Sequence, residues 1–290
     1  MFVYVNGEIV PKEQAKISPF DHGFLYGIGV FETFRIYNGH PFLLDDHLDR
    51  LNSSLRELMI MKELKRAETM EMLQRLSTAN GWGHSYIRLN VSAGNGEIGL
   101  QTEAYHEPAV IIFQKPLEPP SELAEKKGVW LTVRRNTPEL TKRLKSHHYL
   151  NNIAGKREAG NDPLTEGIFL TETGMVAEGV VSNVFWVKGN TLYTPAIETG
   201  ILNGITRQYV IHTGKKLGMK IKEGLFAPSE LKAADEAFFT NSIQEITAIS
   251  EIDNRTFPGR RGKWTNGLFS RYEKDRERLW SRSGETTEKR

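Results

Sequence analysis

Arg143–Asn152 reads RLKSHHYLNN, and the interpretation of the whole chain turns on this segment. Lys145 stands two positions after an arginine and four before Tyr149. As an ordinary side chain such a lysine is solvated. As a nucleophile it must be neutral near pH 7, a state that burial and neighbouring cations produce. His147 and His148 are adjacent, so in an extended segment they point to opposite faces and do not readily share a metal. No third ligand is spaced to complete a zinc site with them.

Outward from this segment, VAEGVVSNVF (Val176–Phe185) sets Glu178 beside Gly179, where an acid can equally be a surface residue on a turn. In ILNGITRQ (Ile201–Gln208) a loop runs into a helix expected over Thr206–Leu217. The free backbone N–H groups and the dipole at that entry attract an anion, although Thr206 taken alone is an ordinary N-cap. FFTNSIQEITAI (Phe238–Ile249) contributes Ser242.

The N-terminal half opens with a strand, Phe2–Val5, closed by the hairpin signal Asn6-Gly7. The apolar stretch Phe24–Tyr37 ends at a second turn, Asn38-Gly39. From Asp45 the period changes, and Leu48, Leu51, Leu55 and Leu58 mark one face of a helix. Arg50 on that helix is, by itself, a solvated residue. A second helix covers Ala67–Asn80 up to Gly81, and strands follow at Ser85–Ser92, which carries Arg88, and Ala109–Gln114. Lys115–Lys127 holds three prolines and several charges, which reads as a boundary. The expected organisation is an N-terminal domain over 1–118, a linker at 119–127 and a C-terminal domain over 128–290. Strands are expected there at Val129–Arg134, Gly167–Thr171, Asn183–Val187 and Thr191–Thr194, with helices at Ser229–Ala234 and Trp264–Trp280 before a polar tail. Both halves mix strands and helices without regular alternation, which argues for α+β.

With 39% hydrophobic and 26% charged residues, the 290-residue chain has the composition of a soluble globular protein. A net charge of +2 without a basic stripe argues against nucleic acid as partner and suits small acidic ligands. The absence of cysteine removes disulfides, thiolate nucleophiles and zinc–thiolate sites. MFVYVNGEIVPKEQ lacks the pattern of a signal peptide, and the apolar run Ala109–Phe113 is too short to span a bilayer, so a cytoplasmic protein with no membrane partner is expected. Gly27-Ile28-Gly29 lacks the third glycine and the βαβ context of a dinucleotide loop.

Six segments in order, SPFDHGFLYGIGVFETFR (Ser18–Arg35), DHLDRL (Asp46–Leu51), RLKSHHYLNN, VAEGVVSNVF, ILNGITRQ and FFTNSIQEITAI, resemble the fold-type-IV enzymes that use pyridoxal 5'-phosphate (PLP). The resemblance implies an α+β fold of two mixed α/β domains, as in the D-amino-acid aminotransferases. It implies that Lys145 binds the cofactor covalently and that Glu178 faces the pyridine nitrogen and keeps it protonated. It further assigns Ile205, Thr206, Ser242 and Arg50 to the phosphate, and Leu202 to the ring face. Ser242 stands where the aminotransferases commonly have threonine, so the hydroxyl is retained. Tyr149 takes the cofactor's phenolic oxygen, although its spacing from the lysine is four where the branched-chain aminotransferases have five. Arg88 is assigned to a substrate carboxylate, with a structural arginine as the alternative.

Within the family the paired histidines, the first segment and Phe31 are most similar to aminodeoxychorismate lyases of Gram-positive bacteria. This implies a carbon–oxygen lyase of folate biosynthesis that converts 4-amino-4-deoxychorismate to 4-aminobenzoate and pyruvate, acting as a homodimer. The alternatives are a D-amino-acid or branched-chain aminotransferase and a non-catalytic PLP-binding protein. The absence of the lysine or the glutamate would mark the last, and both are present.

Overall fold

Two Asn-Gly turns set the first registers. In both, the asparagine and the glycine take positive φ (Asn6 48°, Gly7 99°; Asn38 48°, Gly39 84°), the geometry whose twist matches the strands it joins. The computed structural model describes residues 1–284 and pairs β1 (Phe2–Val5) with β2 (Glu8–Pro11) through the first turn. The second joins β3 (Gly29–Tyr37) to β4 (His40–Pro41). The chain forms two units, one of Met1–Pro119, Leu144–His148 and Arg276 onward, the other of Pro120–Arg143 and Tyr149–Asp275.

In the first unit, β5 (Ser85–Ser92) and β6 (Ala109–Pro116) complete an antiparallel sheet of order β2-β1-β6-β5-β3-β4. A one-turn helix, α1 (His22–Leu25), is capped by the Asp21 side chain. The long helices α2 (Leu44–Glu57) and α3 (Arg66–Asn80) follow. Leu44, Leu48, Leu51 and Leu55 of α2 pack with Met72, Leu73 and Leu76 of α3 against Val30, Phe34, Ile36, Ile87, Leu89 and Val91 of the sheet. Strand alternation then leaves Phe31, Thr33, Arg88 and Asn90 on the opposite face. Leu144–His148 joins that sheet by an antiparallel bridge, Val30 to Ser146.

The second unit is built on a mixed nine-stranded sheet. Its strands are β7 (Ala124–Trp130), β8 (Thr165–Leu170), β9 (Val176–Gly179), β10 (Asn183–Lys188) and β11 (Thr191–Pro195). They continue with β12 (Lys220–Gly224), β13 (Glu236–Asn241), β14 (Glu245–Ile252) and the short β15 (Arg255–Thr256). The order is β12-β11-β10-β13-β14-β7-β8-β9, with β15 on β14. Helices α4 (Leu150–Ala159), α5 (Ile205–Lys216), α6 (Pro228–Lys232) and α7 (Lys263–Asp275) accompany it. Strand order alone puts β9 at one edge, yet Asn183 at the start of β10 hydrogen-bonds Glu178 on β9 (3.2 Å). The sheet therefore curls until its edge returns to its own middle.

The α+β class stands, and several expected bounds change. The segment expected as a linker at 119–127 contains the start of β7, and the strand expected over Val129–Arg134 ends at Trp130. Its charges are paired rather than free: Lys126 meets Glu166 (3.2 Å) and Lys127 meets Glu251 (2.9 Å). Helix α4 was not expected, because it carries no apolar stripe; Asn152 and Gly155 are its buried residues, and Leu150 and Ile153 are exposed. The helix expected to reach Trp280 stops at Asp275, and the following segment belongs to the first unit. There the N–H groups of Leu43 and Asp45, at the start of α2, donate to the carbonyls of Leu279 (2.9 Å) and Trp280 (3.0 Å). The Arg282 N–H donates to Asp46 (2.7 Å). The end of the described chain thus satisfies donors that the first turn of α2 leaves over. Part of the expected polar tail, at residues 285–290, lies outside the described residues. No described helix is long and apolar enough to cross a membrane.

Leu55 is fully buried between α2 and the sheet. Leu55→Ala should lower stability by about 2–5 kcal/mol. In urea unfolding the midpoint should fall while the slope stays unchanged.

Candidate active site

Lys145 sits on the first unit because its segment pairs with β3. The Phe31 N–H donates to the Lys145 carbonyl (2.9 Å), and the His147 N–H donates to the Gly29 carbonyl (3.0 Å). Alternation along this extended stretch turns Lys145 and His147 to the side of Phe31. The Lys145 Nζ lies 4.6 Å from the Phe31 ring centre, and the Arg88 guanidinium carbon lies 3.7 Å from it. Arg88 Nε donates to Asn90 Oδ1 (3.0 Å), which fixes the plane of the guanidinium. The amine and the guanidinium gathered on one aromatic ring offer donors that suit a carboxylate. His147 stacks along the same ring at 6.3 Å, and burial, with repulsion from Arg88, pushes its imidazole down to about 4. It is uncharged at neutral pH. His148 turns away and donates from Nε2 to the Tyr26 carbonyl (3.2 Å).

On the helix-covered face of β3, Glu32 is buried among apolar side chains. Arg50 of α2 grips both its oxygens, through Nε (2.8 Å) and Nη2 (2.6 Å), and His47 donates from Nδ1 (2.6 Å). Burial opposes ionisation of this carboxyl, but the Arg50 and His47 interactions outweigh it and hold it at about 2. Burial pushes His47 in the neutral direction. Arg50, assigned to the phosphate by resemblance, is thus oriented by an acid one residue from Phe31.

The second unit gathers the rest. Glu178 on β9 is buried; its Oε1 accepts from Arg135 Nε (2.8 Å), and its Oε2 accepts from the Leu202 N–H (3.0 Å) and Asn183 Nδ2 (3.2 Å). The same Asn183 amide donates to the Leu202 carbonyl (2.9 Å), tying the loop before α5 to β10. A Cβ on Gly204 would stand 2.2 Å from Asn183 Oδ1, so only glycine lets this loop approach so closely. Arg143 bonds the carbonyls of Gly200 and Asn136, and burial with repulsion from Arg135 pushes it down to about 10. Helix α5 begins at Ile205 without a side-chain cap, and the Thr206 and Ser242 hydroxyls lie 3.4 Å apart beside it. Tyr149 is the N-cap residue of α4.

These groups fit a phosphorylated pyridine. The first turn of α5 offers main-chain donors, and Thr206 and Ser242 add hydroxyls suited to a phosphate. The buried hydroxyl of Thr240, the cross-strand neighbour of Asn183, has no hydrogen-bond partner among the described residues. Glu178 is a buried, oriented carboxylate of the kind that suits a ring nitrogen. Sequence reading missed Arg135, Asn183, Glu32 and His47. Glu32 left a signal, an acid in the same alternation as Val30, Phe34 and Ile36; Arg135 left none.

The chain belongs to the amino-transferase class IV family, whose pattern matches residues 29–252. It is 48% identical to the aminodeoxychorismate lyase of Bacillus subtilis over 94% of each chain. It is 32% identical to a D-alanine aminotransferase of Bacillus licheniformis over 88% of this chain and 90% of that one. A branched-chain amino acid aminotransferase of Thermobaculum terrenum, solved in its PLP form, superposes with a TM-score of 0.82 at 29% identity, covering 94% of this chain and 92% of that one.

The Glu32 carboxyl, held at about 2 against an ordinary 4.5, stabilises the fold above the ordinary value and loses that contribution as pH falls towards 2. Glu32→Gln should cost about 3 kcal/mol at pH 7. Urea titrations at stepped pH should show the gap to wild type closing between 4.5 and 2; a gap independent of pH would assign the loss to packing.

Proposed function

We propose that this protein is a PLP-dependent carbon–oxygen lyase that converts 4-amino-4-deoxychorismate to 4-aminobenzoate and pyruvate in folate biosynthesis. The observation that carries the reading is the near-full-length likeness to the B. subtilis lyase at 48%, against 32% to the D-alanine aminotransferase. Fold alone does not choose between these reactions.

When bound, PLP supplies an electron sink for the bonds broken at the amine-bearing carbon of the substrate. Lys145 Nζ is the attachment point and, once displaced by the substrate amine, the base that takes the proton from that carbon. Arg88, laid on Phe31 and oriented by Asn90, receives a substrate carboxylate. Glu178 holds the proton on the ring nitrogen, and Leu202 packs on the ring face. Ile205, Thr206, Ser242 and Arg50 hold the phosphate, and Tyr149 takes the phenolic oxygen. Loss of the enolpyruvyl group makes the six-membered ring aromatic, so no amino acceptor is consumed.

The working form in this proposal is a homodimer in the cytoplasm, a compartment that a cysteine-free chain suits. Support for the dimer comes from Phe24 (65% exposed) and Leu100 (91% exposed). The residues flanking α1, which carries Phe24, are joined to the loop of Leu100 by the Gly96 N–H to the Phe20 carbonyl (3.1 Å) and by the Gly99 N–H to the Tyr26 hydroxyl (2.8 Å). A second copy of the chain is the proposed cover for this apolar patch.

Incubation with aminodeoxychorismate should release equal amounts of 4-aminobenzoate and pyruvate with no 2-oxo acid present, and Lys145→Ala should abolish turnover. An inert aminodeoxychorismate, with many turnovers of D-alanine and 2-oxoglutarate, would make the protein an aminotransferase. Light scattering on a sizing column should give a dimer for the wild type and a monomer for Phe24→Asp with Leu100→Asp. A monomeric wild type would end the dimer proposal.

A further inference from the structure

Arg135 lies outside every segment that carries the family resemblance, yet it touches the acid assigned to the cofactor ring. The residue is 5% exposed, and its guanidinium rests over Phe169, 5.4 Å from the ring centre. Nε donates to Glu178 Oε1 (2.8 Å), while Nη1 donates to Asn151 Oδ1 (2.6 Å) and Asn152 Oδ1 (3.3 Å) in the first turn of α4. Those asparagines are held in turn. Asn151 Nδ2 donates to the Arg134 carbonyl (2.9 Å) and Asn152 Nδ2 to the Val180 carbonyl (2.6 Å). The guanidinium is therefore locked on both of its edges, and an immobile cation meets one oxygen of Glu178 while two neutral donors meet the other.

We propose that Arg135 is a positioning residue that aims the Glu178 carboxylate and meets its charge, so that the proton shared with the cofactor ring stays on the ring nitrogen. The proposal rests on the reading of Glu178 as the partner of that nitrogen. Asn183 and the Leu202 N–H set the direction of the carboxylate, but neither carries a full charge. Arg135 supplies that charge at 2.8 Å, the counter-charge that a buried carboxylate requires. Without it, a buried carboxylate becomes the stronger base and draws the shared proton onto itself. The ring then loses the positive charge that makes it an electron sink. The same guanidinium grips the first turn of α4, directly after Tyr149, so one side chain steadies two groups assigned to different atoms of the ring.

The test uses holoenzyme loaded with PLP labelled with nitrogen-15 in the ring. Nitrogen NMR of the wild type should show a protonated ring nitrogen. Arg135→Met should move the signal towards the neutral value, as Glu178→Gln does, and Arg135→Gln, which keeps a donor but drops the charge, should move it the same way. For both Arg135 variants kcat should fall roughly a hundredfold with little change in KM. Thermal melts of the same samples confirm that the protein measured is folded, and if the Met variant fails to fold, the Gln variant carries the test. A wild-type signal in the folded variants, alongside a moved signal in Glu178→Gln, would overturn the role of Arg135 and leave that of Glu178 standing. An unmoved signal in Glu178→Gln would remove the reading of Glu178 and the proposal with it.

Discussion

A carboxylate buried away from water must have its charge met by fixed donors, and the Glu178 carboxylate imposes that constraint on the second unit. Its oxygens draw together β9, the start of β10, the loop before α5 and the segment carrying Arg135. Asn183 is only five positions from the acid, but the Leu202 N–H and Arg135 come from 24 and 43 positions away. The close seat of Gly204 against that asparagine then sets where α5 begins. The orientation of one acid and the location of a helix N-terminus are thus parts of one packing arrangement.

The first unit solves the same problem differently. Glu32 faces the helix-covered side of β3, and α2 delivers both partners from successive turns, His47 and Arg50. The opposite side of the same strand bears Phe31, with Lys145 and Arg88 on its ring. One strand therefore meets a buried ion pair on one face and, on the other, the aromatic ring over which Lys145 and Arg88 lie. The C-terminal segment belongs to this arrangement too, because Leu279, Trp280 and Arg282 hold the start of the helix that carries Arg50. Rigid support of this kind keeps a functional group within the narrow geometry that chemistry demands.

Neither unit by itself distinguishes elimination from amino transfer. Lyases and aminotransferases of this fold can share an amine, a carboxylate for the ring and a phosphate cradle, and the reaction is decided by what the substrate can expel. A substrate that becomes aromatic on losing its ether makes elimination the downhill course. The demand on the protein is correspondingly modest: hold the ring, bind a carboxylate and move one proton.

Much of this was legible in the residues, where the information is local. The Asn-Gly turns, the leucine stripe of α2 and the stop at Gly81 follow from backbone preference and periodicity within a few positions. The ordered segments around Lys145, Glu178, Thr206 and Ser242 carried the family and its chemistry for the same reason. Charged sequence misled where the charges were paired at a distance, as in β7, whose lysines looked like a linker until Glu166 and Glu251 met them. Helix α4 was invisible because it buries no stripe. Arg135 and Glu178 are 43 residues apart, and Asp46 and Arg282 are 236 apart. No periodicity spans such separations. The sequence by itself determined the turns and the amphipathic elements, because each is set by neighbours a few positions away; which charges meet was decided only by the tertiary structure, because burial creates the need for a partner and the folded sheet chooses it.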